Sequence, residues 1–559
     1  MPPRLCYPFP SMPDPLDPQV EAFVAALRAT VPGTDVRVGG LDRAAYARDA
    51  SPETFLERRH GVLPVPPGAV CWPASAEDVA ALVRLAAVHR VGLVPFGAGS
   101  GVVQGLLPDA RTVVMDLKRL DGVEIDARTR TVAAGAGVIG ERLERALNVA
   151  GFTAGHFPSS IYCSTVGGWV AARSAGQLSS RYGKIEDMVH RLEIVDGTGA
   201  ISTLERDRGA DPARAIIGSE GALAVVTRAW LRIHQLASHH AVFGLAAPDV
   251  GTGVTFMRRV MQAGLRPAVF RMYDPPDTLL AGGIPANSEM PVVRVGPISR
   301  AGHEDGHMSG DAPAPAHGLF GLLARRATAA LRREAGAGRL NPTVRHVLGA
   351  ALAHTAWLAA PYERLPPACL MVLGFEGDAD AVSEALASAT AMAGTCGVSV
   401  LGVAPGERWL RRRHAVTYKM PPYIRAGGWA DTLEVSAPWS VIERLYHEAR
   451  SSLLHHAVAM AHFSHAYPEG GSIYFTFAGG GATLEDAVAH HAAAVRDALE
   501  AFSRLGASLS HHHGVGRMKS ARLWDVLGPG SRDAVTGLKR ALDPHGVLNP
   551  GVLGLGGRP

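Results

Sequence analysis

The sequence contains few cysteines and few aromatic residues, and it has almost no net charge. Its 559 residues include 5 cysteines, widely scattered and without a Cys-x-x-Cys pair. This pattern argues against a disulfide framework and against a thiolate metal site. Aromatic residues make up 6% of the chain, and the formal net charge is +4. So small a charge gives no electrostatic reason to expect a nucleic-acid partner.

Signals for export or membrane insertion are also missing. The N-terminal region is rich in proline and has no apolar signal core, and the C-terminus carries no retention or peroxisomal tripeptide. The longest apolar stretch, about residues 347–361, is interrupted by His354 and is too short to cross a bilayer. We therefore expect a soluble protein of a reducing compartment, the cytoplasm.

Apolar residues, at 47% of the chain, are numerous enough to fill substantial cores, which excludes a disordered protein. Residues 1–60 have a helical, polar pattern. From about residue 63 to 235, strand-like segments alternate with turns, and AEDVAALVRLAAVHR has helical apolar spacing with Ser75 as its N-cap. Beyond residue 240, helices with an apolar face alternate with short strands, a pattern typical of an α+β domain.

Glycine is abundant, with 64 residues, and three glycine-rich loops follow or precede predicted strands. They span residues 95–101, 155–176 and 218–227. The first enters another strand and not a helix, so it is not a Rossmann loop, and it lacks the Gly-Lys-Ser/Thr of a Walker A loop. Bare backbone after a strand suits a diphosphate, and hydroxyl groups in the second loop suit a flat ligand with polar edges. Three such loops favour one extended cofactor.

Together, PFGAGSG, STVGGWVAARSAG with RYGKIEDMV, and GSEGALAVVT resemble the FAD-binding domain of the vanillyl-alcohol-oxidase/PCMH flavoprotein superfamily. LDPHGVLNPG resembles the tail common in that superfamily. Over about residues 45–275 and 365–551 the chain is similar to the alkyldihydroxyacetonephosphate synthase family. The resemblance implies an α+β fold, in which a PCMH-type FAD-binding domain of two α+β subdomains joins an α+β substrate or cap domain. The implied segments are an N-terminal helical extension (1–60), the FAD domain (61–238), the cap domain (239–505, with a flexible insertion at 280–345) and a C-terminal segment returning to the FAD domain (506–559).

The same resemblance implies which residues bind FAD. The first loop would carry the pyrophosphate, residues 159–165 would line the flavin and the ribityl chain, and two further segments would complete the pocket. The implied residues are Pro95, Phe96, Gly97, Ala98, Gly99, Ser100, Gly101, Ser159, Ser160, Ile161, Tyr162, Cys163, Ser164, Thr165, Ala172, Arg173, Ser174, Ala175, Glu220, Gly221, Ala222, Leu223, Ala224, Val225 and Val226. Because the first loop contains no histidine, we expect FAD to be bound non-covalently.

Three consecutive histidines, His511, His512 and His513, follow a predicted β-segment, GASLS. On an extended chain the middle ring faces away from the other two, so we expect no metal site here. Imidazoles titrate near neutrality and suit proton transfer. Tyr474 lies in an alternating strand, and the pattern alone indicates core packing. In the synthase family, however, a tyrosine in this strand and a His triplet 37 residues later form the catalytic pair, which implies catalytic roles for all four residues.

Arg425, in Tyr-Ile-Arg, matches the arginine that binds substrate in the synthase family, and the resemblance implies that it binds the substrate phosphate. From the sequence alone it is a surface charge. Two positions depart from the family pattern. Ala426 replaces the usual acidic residue, and Phe-Pro-Ser-Ser at 157–160 replaces Glu-Pro-Asp-Ser. These departures leave the identity of the substrate more open than the identity of the cofactor.

The resemblance implies a transferase of ether lipid biosynthesis. Acyl-dihydroxyacetone phosphate would react through its C1 with flavin N5 and lose its fatty acid, and a fatty alcohol would then displace the adduct. The alternative is an FAD-linked oxidase or dehydrogenase of a 2-hydroxy acid or alcohol, because histidines and an arginine suit a carboxylate substrate equally well. A binding module without catalysis is disfavoured by the complete His run.

Residues 316–333 interleave leucines and a phenylalanine with four arginines. A basic amphipathic helix of this kind is typical of peripheral contact with anionic lipid, and a fatty substrate would need such a route. The pattern alone favours a solvated helix with its apolar face packed inward. Peripheral membrane contact is therefore a hypothesis, and a homodimer is left open.

Overall fold

A computed structural model describes residues 16–59, 64–206, 209–285, 290–299, 367–414, 428–481 and 483–556. The first of its three main sheets has the strand order β1-β2-β4-β3. Its strands are β1 (Asp35–Arg37), β2 (Ala69–Trp72), β3 (Gly92–Phe96) and β4 (Thr112–Asp116). Strands β2, β4 and β3 run parallel, and β1 pairs with β2 in the antiparallel sense. The N-terminal region, predicted to be helical, therefore also contributes an edge strand, because β1 completes the hydrogen bonds of β2.

The second main sheet is antiparallel, with the order β5-β6-β10-β8-β9. A small pair, β7 with β11, lies outside it. These strands are β5 (Val123–Asp126), β6 (Thr131–Gly135), β7 (Phe152–Thr153), β8 (Val189–Asp196), β9 (Ile201–Glu205), β10 (Ala224–Arg232) and β11 (His234–Gln235).

The third sheet has eight strands, and its main path is β14-β12-β15-β13-β18-β19-β17, with β16 paired to β12. Its members are β12 (His239–Ala247), β13 (Val269–Tyr273), β14 (Arg294–Val295), β15 (Cys369–Gly377), β16 (Ser399–Gly402), β17 (Trp429–Pro438), β18 (Val458–Ala466) and β19 (Gly470–Gly479). In the pairing of β17 with β19, Glu434 lies opposite Tyr474. This register brings a carboxylate and a phenol to the same region of the sheet.

The described α-helices cover Pro18–Thr30, Gly40–Ala45, Pro52–Arg59, Ala76–His89, Gly140–Val149, Val166–Ala172, Ser179–Tyr182, Ile185–Met188, Val250–Gln262, Pro275–Leu280, Ala379–Thr395, Val403–Arg412, Ile442–Leu454, Leu484–Arg504 and Ser520–Leu542. Short 3₁₀ helices lie at Leu117–Arg119, Pro212–Ala215 and Val552–Gly554. The predicted N-cap is confirmed, since the Ser75 hydroxyl accepts a hydrogen bond from the amide of Asp78 at 3.1 Å. The last long helix bends at Gly528, whose φ is 78°.

The largest core lies between the third sheet and the helices that cover it. Leu445 and Leu453, on the helix Ile442–Leu454, pack with Leu499 and Phe502 of the helix Leu484–Arg504. Apolar residues recur along both helices at three- and four-residue spacing, which gives each helix one apolar face for the sheet. This layered arrangement of helix on sheet confirms the predicted α+β fold class.

The end of the chain packs against strand β3 of the first sheet. The amide of Leu93 donates to the carbonyl of Val547 at 2.7 Å, and the amide of Asn549 donates to the carbonyl of Leu93 at 2.8 Å. The first glycine loop begins directly after β3, so the tail supports the strand that presents it. The boundaries predicted for the domains themselves stay a prediction.

The predicted β-segment before the histidine run is wrong. Residues 506–510 contain only one isolated bridge, between Ser508 and Ser436, and the chain turns at the histidines. A buried carboxylate draws the backbone into this turn, as described below. Among the residues that the structure describes, no helix is long and apolar enough to span a membrane.

Candidate active site

The three histidines form a turn that is held by the carboxylate of Glu434 on β17. The hydroxyl of Ser510 and the amide of His513 donate to its Oε1 at 2.7 and 2.8 Å, and the amide of His511 donates to its Oε2. Glu434 is completely buried, so these donors replace the water that the carboxylate would otherwise bind. Charge-assisted hydrogen bonds of this kind fix the backbone from which the three rings project.

A buried lysine balances the charge of Glu434. Nζ of Lys519 lies 3.5 Å from Oε1 of Glu434 and donates to the carbonyl of Leu509 at 3.0 Å. Burial alone would raise the pKa of Glu434, but the ammonium of Lys519 and the positive charge that the three imidazoles gain in acid outweigh it and hold that pKa well below its usual range. The site therefore contains a permanent carboxylate next to the histidine turn.

Tyr474 lies between two imidazole rings. Its ring centroid is 4.9 Å from that of His462 and 6.0 Å from that of His512, with planes inclined by only 18° and 19°. His513 meets the same phenol edge-on at 5.3 Å. Burial raises the pKa of Tyr474 to about 12, although a hydrogen bond with Thr432 opposes the shift. At neutral pH this residue is therefore an uncharged phenol that can donate a proton.

The imidazoles of the turn are neutral at physiological pH. Burial lowers the pKa of His512, lowers that of His513 to about 3, and holds that of His511 well below the ordinary value. Glu434 acts in the opposite direction on all three, but its effect is smaller than that of burial. A neutral imidazole has one bare nitrogen, so the turn offers proton acceptors beside the phenol of Tyr474.

Sequence reasoning missed three residues of this cluster, Glu434 on β17, His465 at the end of β18 and Tyr467 just after it. The rings of His465 and His511 lie 4.9 Å apart. The hydroxyl of Tyr467 is 2.9 Å from Nε2 of His511. His465 and Tyr467 have only a weak signal in the sequence: two polar residues at the end of an apolar strand, where a turn is expected.

Three of these histidines are close enough together to hold a metal ion. One ring nitrogen from each of His465, His511 and His512 lies within 4.8 Å of the others. His465 already uses both nitrogens, since Nδ1 contacts the hydroxyls of Ser464 and Ser472 at 2.9 and 3.0 Å and Nε2 contacts the carbonyl of Gly176 at 3.2 Å. The expectation of a site without metal stays a prediction, but its reasoning from an extended chain was wrong, because the chain turns.

The first two glycine-rich loops meet where only bare backbone fits. A Cβ added to Gly97 would lie 2.3 Å from Oγ1 of Thr165, and Gly99 has a φ of +65°. Nζ of Lys118 donates to the carbonyl of Gly97 at 2.9 Å and to Asp116 at 2.6 Å. The ammonium of Lys118 is paired with Asp116 and supports the loop from behind, while the bare glycine backbone offers the amide donors that a pyrophosphate requires, so the residues present fit FAD.

The rest of the first loop, from Pro95 to Gly101, is partly buried or exposed, except Phe96, whose ring is buried. In the second loop, Cys163 and Tyr162 are exposed, whereas the hydroxyl of Ser164 accepts a hydrogen bond from the indole of Trp169 at 2.8 Å. The hydroxyl of Thr165 caps the helix Val166–Ala172 through the amide of Gly168. The loop is thus fixed at its end and accessible at its centre.

The segment Ala172–Ala175 lies at the end of this helix. Arg173 is left-handed, with a φ of 53°, and its side chain pairs with Glu186 at 3.1 Å. The hydroxyl of Ser174 contacts Nε2 of His156 at 2.7 Å, and the other ring nitrogen of His156 is buried with no partner among the described residues. Burial lowers the pKa of His156 to about 3.

Glu220 joins the third glycine-rich loop to the histidine turn. Its carboxylate accepts hydrogen bonds from the amides of Val515 and Gly516 at 2.6 and 2.9 Å, and burial raises its pKa to about 7 against these donors. After it, Leu223, Ala224 and Val226 pack into the core of the second sheet, and Val225 packs into the core of the first. That these residues line the FAD pocket stays a prediction.

Some predicted residues lie outside the described residues. These are Arg425, the proposed lipid-contact segment 316–333, and most of the insertion predicted at 280–345. The structure brings together Tyr474 and the three histidines. It places the first two glycine-rich loops against each other, and it connects the third loop to the histidine turn through Glu220.

The fold and the bare-backbone cradle at Gly97 define a flavoprotein of the PCMH type. The family profile described as the FAD binding domain matches residues 67–205, and that of the C-terminal domain of FAD linked oxidases matches residues 236–553. The chain therefore belongs to the FAD-linked oxidase family, within the vanillyl-alcohol-oxidase/PCMH superfamily, and FAD is its cofactor.

Relatives carry two kinds of name. Alkyldihydroxyacetonephosphate synthase of Trypanosoma brucei brucei is 27% identical over 548 residues, which cover 95% of this chain and 80% of that protein. An uncharacterized FAD-linked oxidoreductase of Escherichia coli (strain K12) is 27% identical over 562 residues, covering 96% and 97%. A solved structure of alkyldihydroxyacetonephosphate synthase has a TM-score of 0.70 at 24% identity, covering 96% and 86%. The resemblance to these synthases is confirmed.

Proposed function

We propose that the protein is an FAD-dependent transferase that exchanges the acyl group of acyl-dihydroxyacetone phosphate for a fatty alcohol. The observation that carries the proposal is the phenol of Tyr474, packed between His462 and His512 beside neutral imidazoles. A reaction that removes a proton from C1 of the substrate and later returns it needs an acceptor and a donor in one place. The synthase relatives, similar over nearly the whole chain, support the same reading.

The chain's own residues carry the proton. A neutral imidazole of the turn accepts the C1 proton, and the phenol of Tyr474 hydrogen-bonds the substrate oxygen beside it. Bound FAD supplies an electron-pair acceptor for the substrate carbon. The acyl group leaves as a carboxylate with the C1–O bond pair, the alcohol oxygen forms the new bond to C1 while its O–H proton passes to that carboxylate, and the C1 proton returns, so no net oxidation occurs. The carboxylate of Glu434 stabilises the imidazolium while it holds the proton.

Two residue sets from the sequence complete the proposal. Arg425 binds the substrate phosphate, and residues 316–333 contact anionic lipid, which gives a cytoplasmic enzyme peripheral access to fatty substrates. Purified protein should sediment with vesicles containing anionic lipid and not with neutral ones. Equal recovery with both would contradict the lipid contact without affecting the proposed reaction.

An FAD-linked oxidase or dehydrogenase of a hydroxy acid is the second candidate, because the Escherichia coli relative is named an FAD-linked oxidoreductase. The deciding experiment supplies palmitoyl-dihydroxyacetone phosphate and hexadecanol to purified holoenzyme. We expect fatty acid and ether product in equal amounts, without oxygen uptake. Rapid flavin bleaching by D-lactate or glycolate in the absence of air, with no fatty acid released, would overturn the transferase and support the oxidase.

Tyr474→Phe tests the residue that carries the proposal. Removing a group that transfers or orients a proton should lower kcat by about 100-fold or more, with a much smaller change in KM. The matched control is Tyr446→Phe, which removes a phenol bonded to Asp274 at 3.1 Å on another element. If both variants kept full activity per bound flavin, Tyr474 would have only a packing role.

A further inference from the structure

A chain of hydrogen bonds connects Ser179, three residues after the second glycine-rich loop, to the histidine turn. The hydroxyl of Ser179 is 2.8 Å from the hydroxyl of Tyr467, which is 2.9 Å from Nε2 of His511. Nδ1 of His511 is 3.0 Å from Nδ1 of His512. Ser179 is buried and precedes the strands of the third sheet in sequence, whereas Tyr467 follows β18. The chain therefore links two distant parts of the sequence directly to the imidazoles.

Each of these hydrogen bonds has one proton between its two atoms. The direction of one bond therefore sets the direction of the others. When Tyr467 donates to Nε2 of His511, that ring carries its hydrogen on Nδ1. Nδ1 of His511 then donates to Nδ1 of His512, so His512 carries its own hydrogen on Nε2. When Tyr467 accepts from Nε2 of His511, both hydrogen bonds run the other way. Nδ1 of His512 then donates to Nδ1 of His511, and Nε2 of His512 carries no hydrogen. Neutral imidazole has one donor and one acceptor nitrogen, so no other arrangement keeps all the hydrogen bonds.

Nε2 of His512 is the last nitrogen in this series of hydrogen bonds and the one that can bind a proton from a substrate. The hydrogen bond that the structure describes for this ring is made by Nδ1 and not by Nε2, and the ring is stacked near Tyr474. The carboxylate of Glu434 lies 3.8 Å from the opposite nitrogen, Nδ1. A proton accepted at Nε2 thus places a positive charge where a buried negative charge already faces the ring.

We propose that Tyr467 is a positioning residue that selects the protonation of His512 through His511. The inference rests on the proposed transferase function and deepens it. In the accepting arrangement, the C1–H bond of the substrate breaks, its electron pair stays with carbon, and the proton binds Nε2 of His512. That proton remains on the imidazole pair, balanced by Glu434, until it returns to the substrate, so no other acceptor is required.

Several charged or titratable groups surround this chain and set its proton affinity. The charges that act on the pKa of His511 are those of His512, Glu434, Lys184 and His513. Those that act on the pKa of His512 are Glu434, Lys519, Arg271 and His462. Tyr467 is influenced by Glu186 and Asp187, and burial holds its pKa above the ordinary value. Because all other partners stay in place when only the Tyr467 hydroxyl is removed, Tyr467→Phe isolates its contribution.

The first test does not depend on activity. Ring-¹⁵N spectra of protein labelled at histidine distinguish protonated from bare nitrogens, and the His511 signals are assigned by their loss in His511→Asn. We expect His511 in the holoenzyme to show one neutral tautomer and to become a mixture of tautomers in Tyr467→Phe. Unchanged His511 signals in that variant would overturn the proposal, whatever reaction the enzyme catalyses.

The second test measures turnover. Tyr467→Phe should lower kcat at least about tenfold, with KM changed less than about threefold, and should shift the acidic limb of the kcat profile. Ser179→Ala should act in the same direction, and the double variant should be no worse than Tyr467→Phe, because both interrupt one chain. Tyr446→Phe again serves as the control. If wild-type enzyme releases no fatty acid, the proposed function fails, and the nitrogen spectra still decide the role of Tyr467.

Discussion

At the scale of single residues, Glu434 decides how the histidine turn is built. Its carboxylate holds the amides of His511 and His513 and faces the ammonium of Lys519 in a fully buried site. Glu434→Gln leaves Lys519 buried without a counter-charge, and we expect the free energy of unfolding to fall by about 3–5 kcal/mol. Urea unfolding of the variant beside wild type measures this difference.

The control is Glu500→Gln, an exposed residue that pairs with Arg522 at 3.2 Å, for which about 0–1 kcal/mol is expected. The pH dependence gives a second check. The folded pKa of Glu434 lies below the unfolded one, so its contribution is present above the pH at which the unfolded group titrates and is lost as pH falls. Wild type should therefore lose its advantage over Glu434→Gln in acid. A constant difference would contradict the assignment of this charge.

The sequence predicts which residues of this site carry its chemistry better than it predicts which residues contact each other. The resemblance implied that Tyr474 and the histidine triplet act together, and they do lie together. Glu434 and Tyr467 were missed because their partners are 77 and 44 positions away in sequence, and no local pattern encodes that contact. A glutamate inside the apolar strand β17 was a usable signal, because a charged residue at a buried position requires a specific partner.

At the scale of structural elements, the first glycine loop packs directly against Thr165, the residue that precedes the helix Val166–Ala172. Gly97→Ala would place a Cβ 2.3 Å from Oγ1 of that residue and force the two elements apart. Such overpacking costs about 1–3 kcal/mol, and as a loss of binding free energy this lowers the affinity for FAD by about 5- to 160-fold. The ratio of flavin to protein absorbance, and FAD titration of the apo form, measure this effect without any substrate.

Gly122→Ala is the matched control, since a Cβ there meets nothing within 4 Å and its backbone does not require glycine. It should keep the flavin content of wild type. Equal flavin content in both variants would mean that the first loop is not a binding element. Local sequence predicted this loop because a strand followed by glycines is a local pattern, whereas its contact with Thr165 needed the fold.

At the scale of the whole molecule, the resemblance and the alternation of elements predicted the α+β class, because periodicity reports which face of each element is buried. What they did not predict is how the segments lock together. The tail passes beside β3, and the ammonium of Lys539 connects the carbonyls of Ala222 and Leu548 at 2.7 and 2.8 Å with the carboxylate of Asp543. These contacts join the third glycine-rich loop, the last helix and the tail.

Lys539→Met tests whether this junction holds the cofactor domain together. Burial lowers the pKa of Lys539 and the pairing with Asp543 opposes that shift, so the ammonium depends on its partner. Without it, the buried Asp543 carboxylate keeps, among the described residues, the amides of Val547 and Leu548 as its donors, and we expect the free energy of unfolding to fall by about 3–5 kcal/mol. The tail should become sensitive to proteolysis, and flavin content should fall because β3 leads into the first glycine loop. Arg540→Met, at the exposed neighbouring position, should change neither. A protease-resistant tail with full flavin in Lys539→Met would show that apolar packing alone holds the tail on the sheet.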